Sequence, residues 1–249
     1  MQDSNPPIFL WTHPRSVSSA LERVMLQRGD LDTLHEPFIY LYYLGEARKS
    51  LYFFDPDPQH PTDYQGIRDM ILQRTCDRPV FVKDMCYYVT DHFPADQLML
   101  AQAIHTYLIR TPERSVPSYY RLDPDVTREE LGLEAVYRHY QIVADYLGTA
   151  PLLIDAEDLT RDPVGTLRAY CQALGLEFLE HSLHWDNSAV PDEWMHVAGW
   201  HQDLAKSSGL GKPAQASQPA DNSPELQAEI DYQMPFYEKL RAGRLRPVS

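Results

Sequence analysis

Ile8, Phe9, Leu10 and Trp11 form an uninterrupted apolar run. It leads straight into Thr12-His13-Pro14-Arg15-Ser16-Val17-Ser18-Ser19. A short run with no polar alternation is the pattern of a strand covered on both faces, as in a parallel sheet with helices above and below. Beyond the loop, Ala20, Leu21, Val24, Met25 and Leu26 recur at helical spacing. Ser18 and Ser19 stand near the helix start, and Gly29 closes the helix. The segment therefore reads as buried strand, tight loop and helix.

The rest of the chain repeats that alternation. Leu31 to Glu36, Pro79 to Asp84, Ile104 to Arg110 and Leu152 to Ile154 read as further strands. Between them, helices are expected at Tyr64 to Thr75, from Pro112 through Tyr120 and at Thr127 to Leu147. The last is a single long helix opened by a Thr127/Glu130 capping box. Asp162-Pro163 opens another, ending at Gly175, and a terminal helix covers Pro224 to Arg244. Strands alternating with helices imply an α/β domain around a mostly parallel sheet. No linker or repeat divides the chain, so a single domain over 1–249 is expected, with 182–223 its least regular part.

The formal net charge is −14. A surface this acidic argues against a nucleic-acid or anionic-membrane partner, both of which favour a basic face. It also makes clustered cations informative, because a site for a polyanion has to gather them against the average field. Cys76, Cys86 and Cys171 form no pair at a ligand or redox spacing and read as reduced thiols. The N-terminus has no basic, long-apolar leader, and no stretch approaches the ~20 apolar residues of a membrane span. The expectation is a cytoplasmic protein.

The loop after the first strand carries the chemistry. Unpaired N–H groups and the positive dipole end at a helix start favour an anion. Arg15 adds a fixed charge and a bidentate fork, and Ser16, Ser18 and Ser19 add hydroxyls. The loop contains no glycine, so it is not the G-x-x-x-x-G-K-[ST] phosphate loop.

Thr12 to Ser19 resembles the 5′-phosphosulfate loop of sulfotransferases that use 3′-phosphoadenosine 5′-phosphosulfate (PAPS). That loop reads roughly x-x-P-[KR]-S-G-[TS]-[TS]. Tyr107-Leu108-Ile109-Arg110-Thr111-Pro112-Glu113-Arg114-Ser115-Val116-Pro117-Ser118-Tyr119-Tyr120 is similar to the family's 3′-phosphate motif, with Arg110 and Ser118 at the family separation. Ala156 to Pro163, followed by Leu174-Gly175-Leu176, is a weaker likeness. The resemblance spans roughly residues 8 to 176. It implies a three-layer α/β sandwich with a P-loop nucleoside triphosphate hydrolase-like fold. It also implies PAPS as co-substrate without a metal, and nucleotide binding by Arg15, Ser16, Val17, Ser18, Ser19, Arg110 and Ser118. Ser208 and Lys212 correspond loosely to a late segment that covers the nucleotide. Val17 departs from the family glycine, whose backbone freedom a valine lacks.

Sulfuryl transfer needs a cation at the leaving phosphate and a base for the acceptor, tasks of position and charge. Arg15 suits the first, and Lys83, at the end of its strand, is the second candidate. Members that carry a histidine two residues after that lysine use it as base. Here the position is Met85. The resemblance instead points to Glu36, with a pKa raised toward neutrality by burial; of the neighbouring residues, His35 is the second choice and Asp84 a distant third. The aromatic residues from Phe38 to Phe54, with Tyr87 and Tyr88, suit either an acceptor wall or core. His181, His184, His196 and His201 follow no metal-ligand spacing. A small hydroxyl- or amine-bearing acceptor is the expected partner, and a homodimer stays open. The alternatives are a P-loop small-molecule kinase and a non-catalytic nucleotide-binding or assembly module.

Overall fold

The computed structural model describes residues 5–186, 191–201, 207–210 and 223–248. Five parallel strands form the sheet: β1 (Ile8–Thr12), β2 (Asp32–His35), β3 (Val80–Met85), β4 (Ile104–Ile109) and β5 (Leu152–Asp155), in the order β2-β3-β1-β4-β5. All are hydrogen-bonded in parallel, with Leu10 of β1 level with Lys83 on one side and Thr106 on the other. The expectation of a mostly parallel sheet is met by an entirely parallel one.

Side-chain alternation divides the core into two layers. Ile8, Leu10, Phe81, Leu108 and Ile154 point to one face. There they meet Leu21, Val24 and Met25 of α1 (Ser18–Arg28). Phe9, Trp11, Val82, Tyr107 and Leu153 point to the other. They meet α2 (Tyr64–Arg74), α3 (Gln97–Gln102) and further helices described below. Phe9, Leu10 and Trp11 are all fully buried, at ~1.5–3 kcal/mol for each large apolar side chain. The doubly covered strand is thus the centre of a three-layer sandwich.

The long helix expected from Thr127 is two helices. After α4 (Pro112–Tyr120), α5 (Arg128–Leu131) stops at Gly132, and α6 (Leu133–Leu147) starts afresh. The capping box at Thr127 and Glu130 is present, but Gly132 takes φ +82°. A Cβ there would come within 2.9 Å of the His13 Cβ, so the break lets the loop after β1 lie against the helix corner. Two short helices lacked a periodic signal: α3, capped by Asp96, and α7 (Ala156–Arg161), capped by Asp155. They are followed by α8 (Pro163–Leu174) and α9 (Pro224–Ala242). Buried Asp155 accepts hydrogen bonds from Tyr237 and Arg241 of α9, both at 3.0 Å. The chain after α9 then donates from Leu245 N–H to the Leu153 carbonyl, blunting the β5 edge.

Candidate active site

The connection from β1 runs toward β2 and that from β4 runs toward β5, on opposite sides of the sheet. The crevice between the ends of β1 and β4 is therefore the topological switch point, where open α/β sheets bind ligands. The loop after β1 and the segment after β4 meet there. Arg15 Nε donates to Ser118 Oγ at 3.1 Å, and Arg110 donates from its guanidinium to the Arg15 carbonyl at 2.9 Å. The Arg110 backbone N–H donates to His13 Nε2 at 3.0 Å. Burial, then the charge of Arg110, pushes His13 down to about 3, so its ring is neutral and this nitrogen accepts. Arg15, Arg110 and Ser118, far apart in sequence, form one cluster.

The loop conformation supplies the rest. Thr12 Oγ1 donates to the Leu108 carbonyl at 2.9 Å, leaving the Ser16 hydroxyl to donate to Thr12 Oγ1 at 2.5 Å. Arg15 and Val17 both have left-handed backbones, φ +61° and +71°. Val17 thus occupies the conformation that its replacement of glycine had put in question. A β-branched residue there is strained by ~1–2 kcal/mol, a cost typical of positions fixed by function. Val17 is also the N-cap of α1 and makes no side-chain capping bond. The expected serine cap is absent because Ser18 and Ser19 lie inside the first turn. The Ala20 N–H donates to the Val17 carbonyl at 3.1 Å, and the Ser18 and Ser19 N–H groups with the helix dipole face the place of an anion. Ser16 and Ser18 are buried, Ser19 half-buried.

Positive charge collects at this crevice despite the chain's acidity. Burial lowers the Arg110 pKa, Glu157 opposes that, and the charges of Arg114, Arg15 and Arg121 lower it further. Glu157 lies 3.3 Å from Arg114 and 4.0 Å from Arg110, partly neutralising the group. Mutual repulsion of this kind is relieved by a bound polyanion.

A second cluster forms at the ends of β2 and β3. Lys83 is fully buried and ion-paired with Glu36, whose other oxygen accepts from the Tyr88 hydroxyl at 3.0 Å. Glu36 has φ +48°. It is held there because its N–H donates to the Lys83 carbonyl and the Phe38 N–H donates to Asp84, at 2.7 and 2.8 Å. His35 Nδ1 lies 2.6 Å from Glu22 Oε2 of α1, and His35 Nε2 lies 3.6 Å from Glu36 Oε1. Glu22 follows Ser18 by four residues on the same buried face of α1. Ser18 at the helix start and Glu22 are thus about one helical turn apart, ~5.4 Å along the axis of α1.

The carboxyl groups differ sharply. Burial pushes Glu36 up, but Lys83, His35 and Tyr88 outweigh it and hold the carboxyl at about 2. This corrects the expectation that burial leaves Glu36 near neutrality, because the lysine beside it was read only as a ligand for phosphate. Burial pushes Glu22 up to about 8, despite the opposing charge of Lys83. Burial and then Lys83 push His35 well below its usual range. Asp84 faces away from Lys83, accepts from Phe38 and Met85 N–H groups at 2.8 Å, and is raised by burial. It serves as a clamp on the turn.

Most of the aromatic segment is core: Phe38, Tyr40, Tyr42, Tyr43, Tyr87 and Tyr88 are buried, whereas Tyr52 and Phe53 are exposed. Tyr43, Tyr87 and Tyr88 pack ring on ring next to Glu36. The segment 191–201 crosses this region. His196 lies against His35, and the Trp200 carbonyl lies 3.5 Å from an Arg15 nitrogen. The Ser208 carbonyl accepts from Trp185 N–H, and Lys212 lies outside the described residues. Among the described residues no group of three or more His, Cys, Asp or Glu is placed to hold a metal ion, and no helix is long and apolar enough to cross a membrane.

Sequence reasoning missed Glu22, His13 and Gly132, and it placed Tyr88 among the aromatic residues without its bond to Glu36. Glu22 had a signal: a carboxylate one turn beyond Ser18 on the face that also carries Leu21 and Met25. The others had none, since their roles depend on contacts between distant segments.

A family model described as a sulfotransferase domain matches residues 7–244. "Branched-chain-amino-acid aminotransferase-like protein 2" of Arabidopsis thaliana is 28% identical over 219 residues, covering 83% of this chain. The chain spans 36% of that relative's length. The "Sulfotransferase Domain from the Synechococcus PCC 7002 Olefin Synthase" superposes with a TM-score of 0.57 at 20% identity, covering 96% of this chain and 97% of that one. The "Sulfotransferase Domain from the Curacin Biosynthetic Pathway" gives 0.55 at 15% identity, covering 97% and 99%. At these identities the two structures speak to the fold.

Proposed function

Since the chain belongs to the sulfotransferase domain family, we propose that it moves a sulfuryl group from PAPS to a hydroxyl or amine of a small acceptor. The observation that carries this reading is the direct linkage of Arg15, Ser118 and Arg110 at the β1/β4 crevice. Two phosphate-bearing ends need two anion sites. The uncapped start of α1 with Arg15, Ser16, Ser18 and Ser19 suits the 5′-phosphosulfate. Arg110 and Ser118 suit the 3′-phosphate. PAPS supplies an activated sulfuryl group on a phosphate leaving group.

The protein's own contributions are charge and position. Arg15 stabilises the negative charge that grows on the departing phosphate. A preorganised donor of this kind contributes ~3 kcal/mol in comparable oxyanion sites. Lys83 is the second cation, and in this structure it is committed to Glu36. Transfer of Lys83 toward the donor phosphate lets burial raise the pKa of Glu36, which then takes the acceptor's proton. One ion pair thereby ties base activation to the presence of the donor. Tyr88 holds Glu36 in place, and the neighbouring tyrosines flank the acceptor side.

The test is thermal unfolding with adenosine 3′,5′-bisphosphate, the product nucleotide. At about a hundred times its dissociation constant it stabilises the native state by ~2.7 kcal/mol, and Arg15→Ala removes the shift. An unchanged midpoint for the wild-type protein sinks the reading.

A further inference from the structure

We infer that Glu22 is a positioning residue: hydrogen-bonded to His35 Nδ1, it sets the imidazole tautomer that presents Nε2–H to Glu36. The inference rests on the reading of Glu36 as the base. Neither the phosphate-site motifs nor the expected base positions include Glu22.

The geometry begins with burial. Glu22 and His35 side chains are both fully buried, 2.6 Å apart, and bridge α1 to the end of β2. A carboxyl group in such a place is costly unless it is paired. The cation at hand, Lys83, is bound to Glu36. The groups that face Glu22 are His35 and Glu36 at the end of β2, Lys83 of β3, and Trp194 and His196 of the segment 191–201. In that setting Glu22 is pushed up to about 8 and His35 is neutral.

The proton positions then follow. A protonated carboxyl group has one O–H donor, and neutral imidazole has one N–H and one lone pair. Glu22 donates to His35 Nδ1, so the ring proton sits on Nε2. That nitrogen lies 3.6 Å from Glu36 Oε1. The separation exceeds a hydrogen bond, yet a proton on this nitrogen places the positive end of the ring beside the carboxylate within a low-dielectric site. When Lys83 turns to the donor, this N–H remains beside Glu36. Ionisation of Glu22 reverses the arrangement. Its proton goes to solvent, the single His35 proton moves to Nδ1 to serve the new carboxylate, and the Nε2 lone pair confronts Glu36. An ordinary packing role for Glu22 has no such consequence for the far side of the ring.

The experiment uses the full chain with 15N-labelled histidine, with the His35 signal assigned by its loss in His35→Gln. Two-bond 1H–15N spectra report the tautomer across neutral and alkaline pH. The wild-type protein shows Nε2–H at neutral pH and moves to Nδ1–H through about pH 8. Glu22→Gln, whose amide donates to Nδ1 at every pH, keeps Nε2–H throughout. Slow donor hydrolysis, with water as acceptor and sulfate plus the bisphosphate as products, declines through the same range in the wild type. In Glu22→Gln it loses that decline. An Nδ1–H tautomer at neutral pH in the wild type, or the same alkaline decline in Glu22→Gln, overturns the inference. Thermal shift with adenosine 3′,5′-bisphosphate on the same samples separates the two claims. A shift with the wrong tautomer refutes the role of Glu22 alone, whereas no shift removes the sulfotransferase reading and this role with it.

Discussion

Lys83→Met should destabilise the protein by about 3–5 kcal/mol at neutral pH, the usual result of removing one partner of a buried ion pair. The structure sets the scale independently. Lys83 and Glu36 side chains are 1% and 9% exposed, so solvent screens the pair little. Glu36 is held at about 2, against an ordinary value of 4.5. That gap corresponds to ~3 kcal/mol at about 1.36 kcal/mol per unit. A depressed carboxyl stabilises the fold above the unfolded pKa of 4.5 and ceases to do so as pH falls through about 2. Without the ammonium, burial dominates and pushes Glu36 above 4.5, so the variant loses stability as pH rises. The difference between wild type and variant is therefore widest at neutral pH and narrows toward pH 4. Urea unfolding at the two pH values measures it. For a chain of this length the neutral-pH midpoint temperature falls by ~6–20 °C, at about 2–4 °C per kcal/mol. Lys83→Met/Glu36→Gln recovers most of the loss, because no charge is left unpaired. A cost under ~1 kcal/mol, an equal cost at both pH values, or no recovery in the double variant refutes the reasoning.

Further outcomes follow from the loop and the core. Val17→Pro, which forces φ to about −65°, abolishes stabilisation by adenosine 3′,5′-bisphosphate. Val17→Gly keeps that stabilisation and changes unfolding free energy by no more than ~1.5 kcal/mol, since relief of ~1–2 kcal/mol of strain is offset by ~0.5–1 of added chain freedom. Gly132→Ala costs about 1–2 kcal/mol for its left-handed backbone alone. Its Cβ also meets His13, so both the melting temperature and bisphosphate binding drop in thermal-shift measurements. His105, which accepts from Trp11 Nε1, is pushed down by burial to about 4. A depressed histidine stabilises fully above 6.5, and its contribution is lost as pH falls toward the folded value. The denaturation gap between wild type and His105→Gln accordingly narrows by about 2 kcal/mol from pH 7 to pH 5.

The sheet was legible because β1 announces itself. Ile8 to Trp11 is apolar on both faces, and a strand of that kind has to lie inside a covered parallel sheet. The partners Arg110 and Ser118 were legible because their spacing from a strand end is local. Gly132 was not. A glycine within a periodic helical pattern is tolerated at small cost, and only the approach of His13 from the far end of the chain demands the break. The Lys83–Glu36 pair shows the same limit in the site. Each residue was singled out, but the sign of the Glu36 shift depends on their contact, which no sequence pattern specifies. Val17 is the reverse case. A valine lacks the backbone freedom of the family glycine, and the tertiary setting imposes the left-handed backbone regardless.

Titration calorimetry with two nucleotides tests the central claim most directly. In metal-free buffer, adenosine 3′,5′-bisphosphate should bind at least about tenfold more tightly than adenosine 5′-phosphate, a difference of ~1.4 kcal/mol contributed by Arg110 and Ser118. Arg110→Ala should erase that preference. Equal affinity for the two nucleotides, or binding that requires ATP with magnesium, would contradict a site built for a 3′-phosphorylated sulfuryl donor.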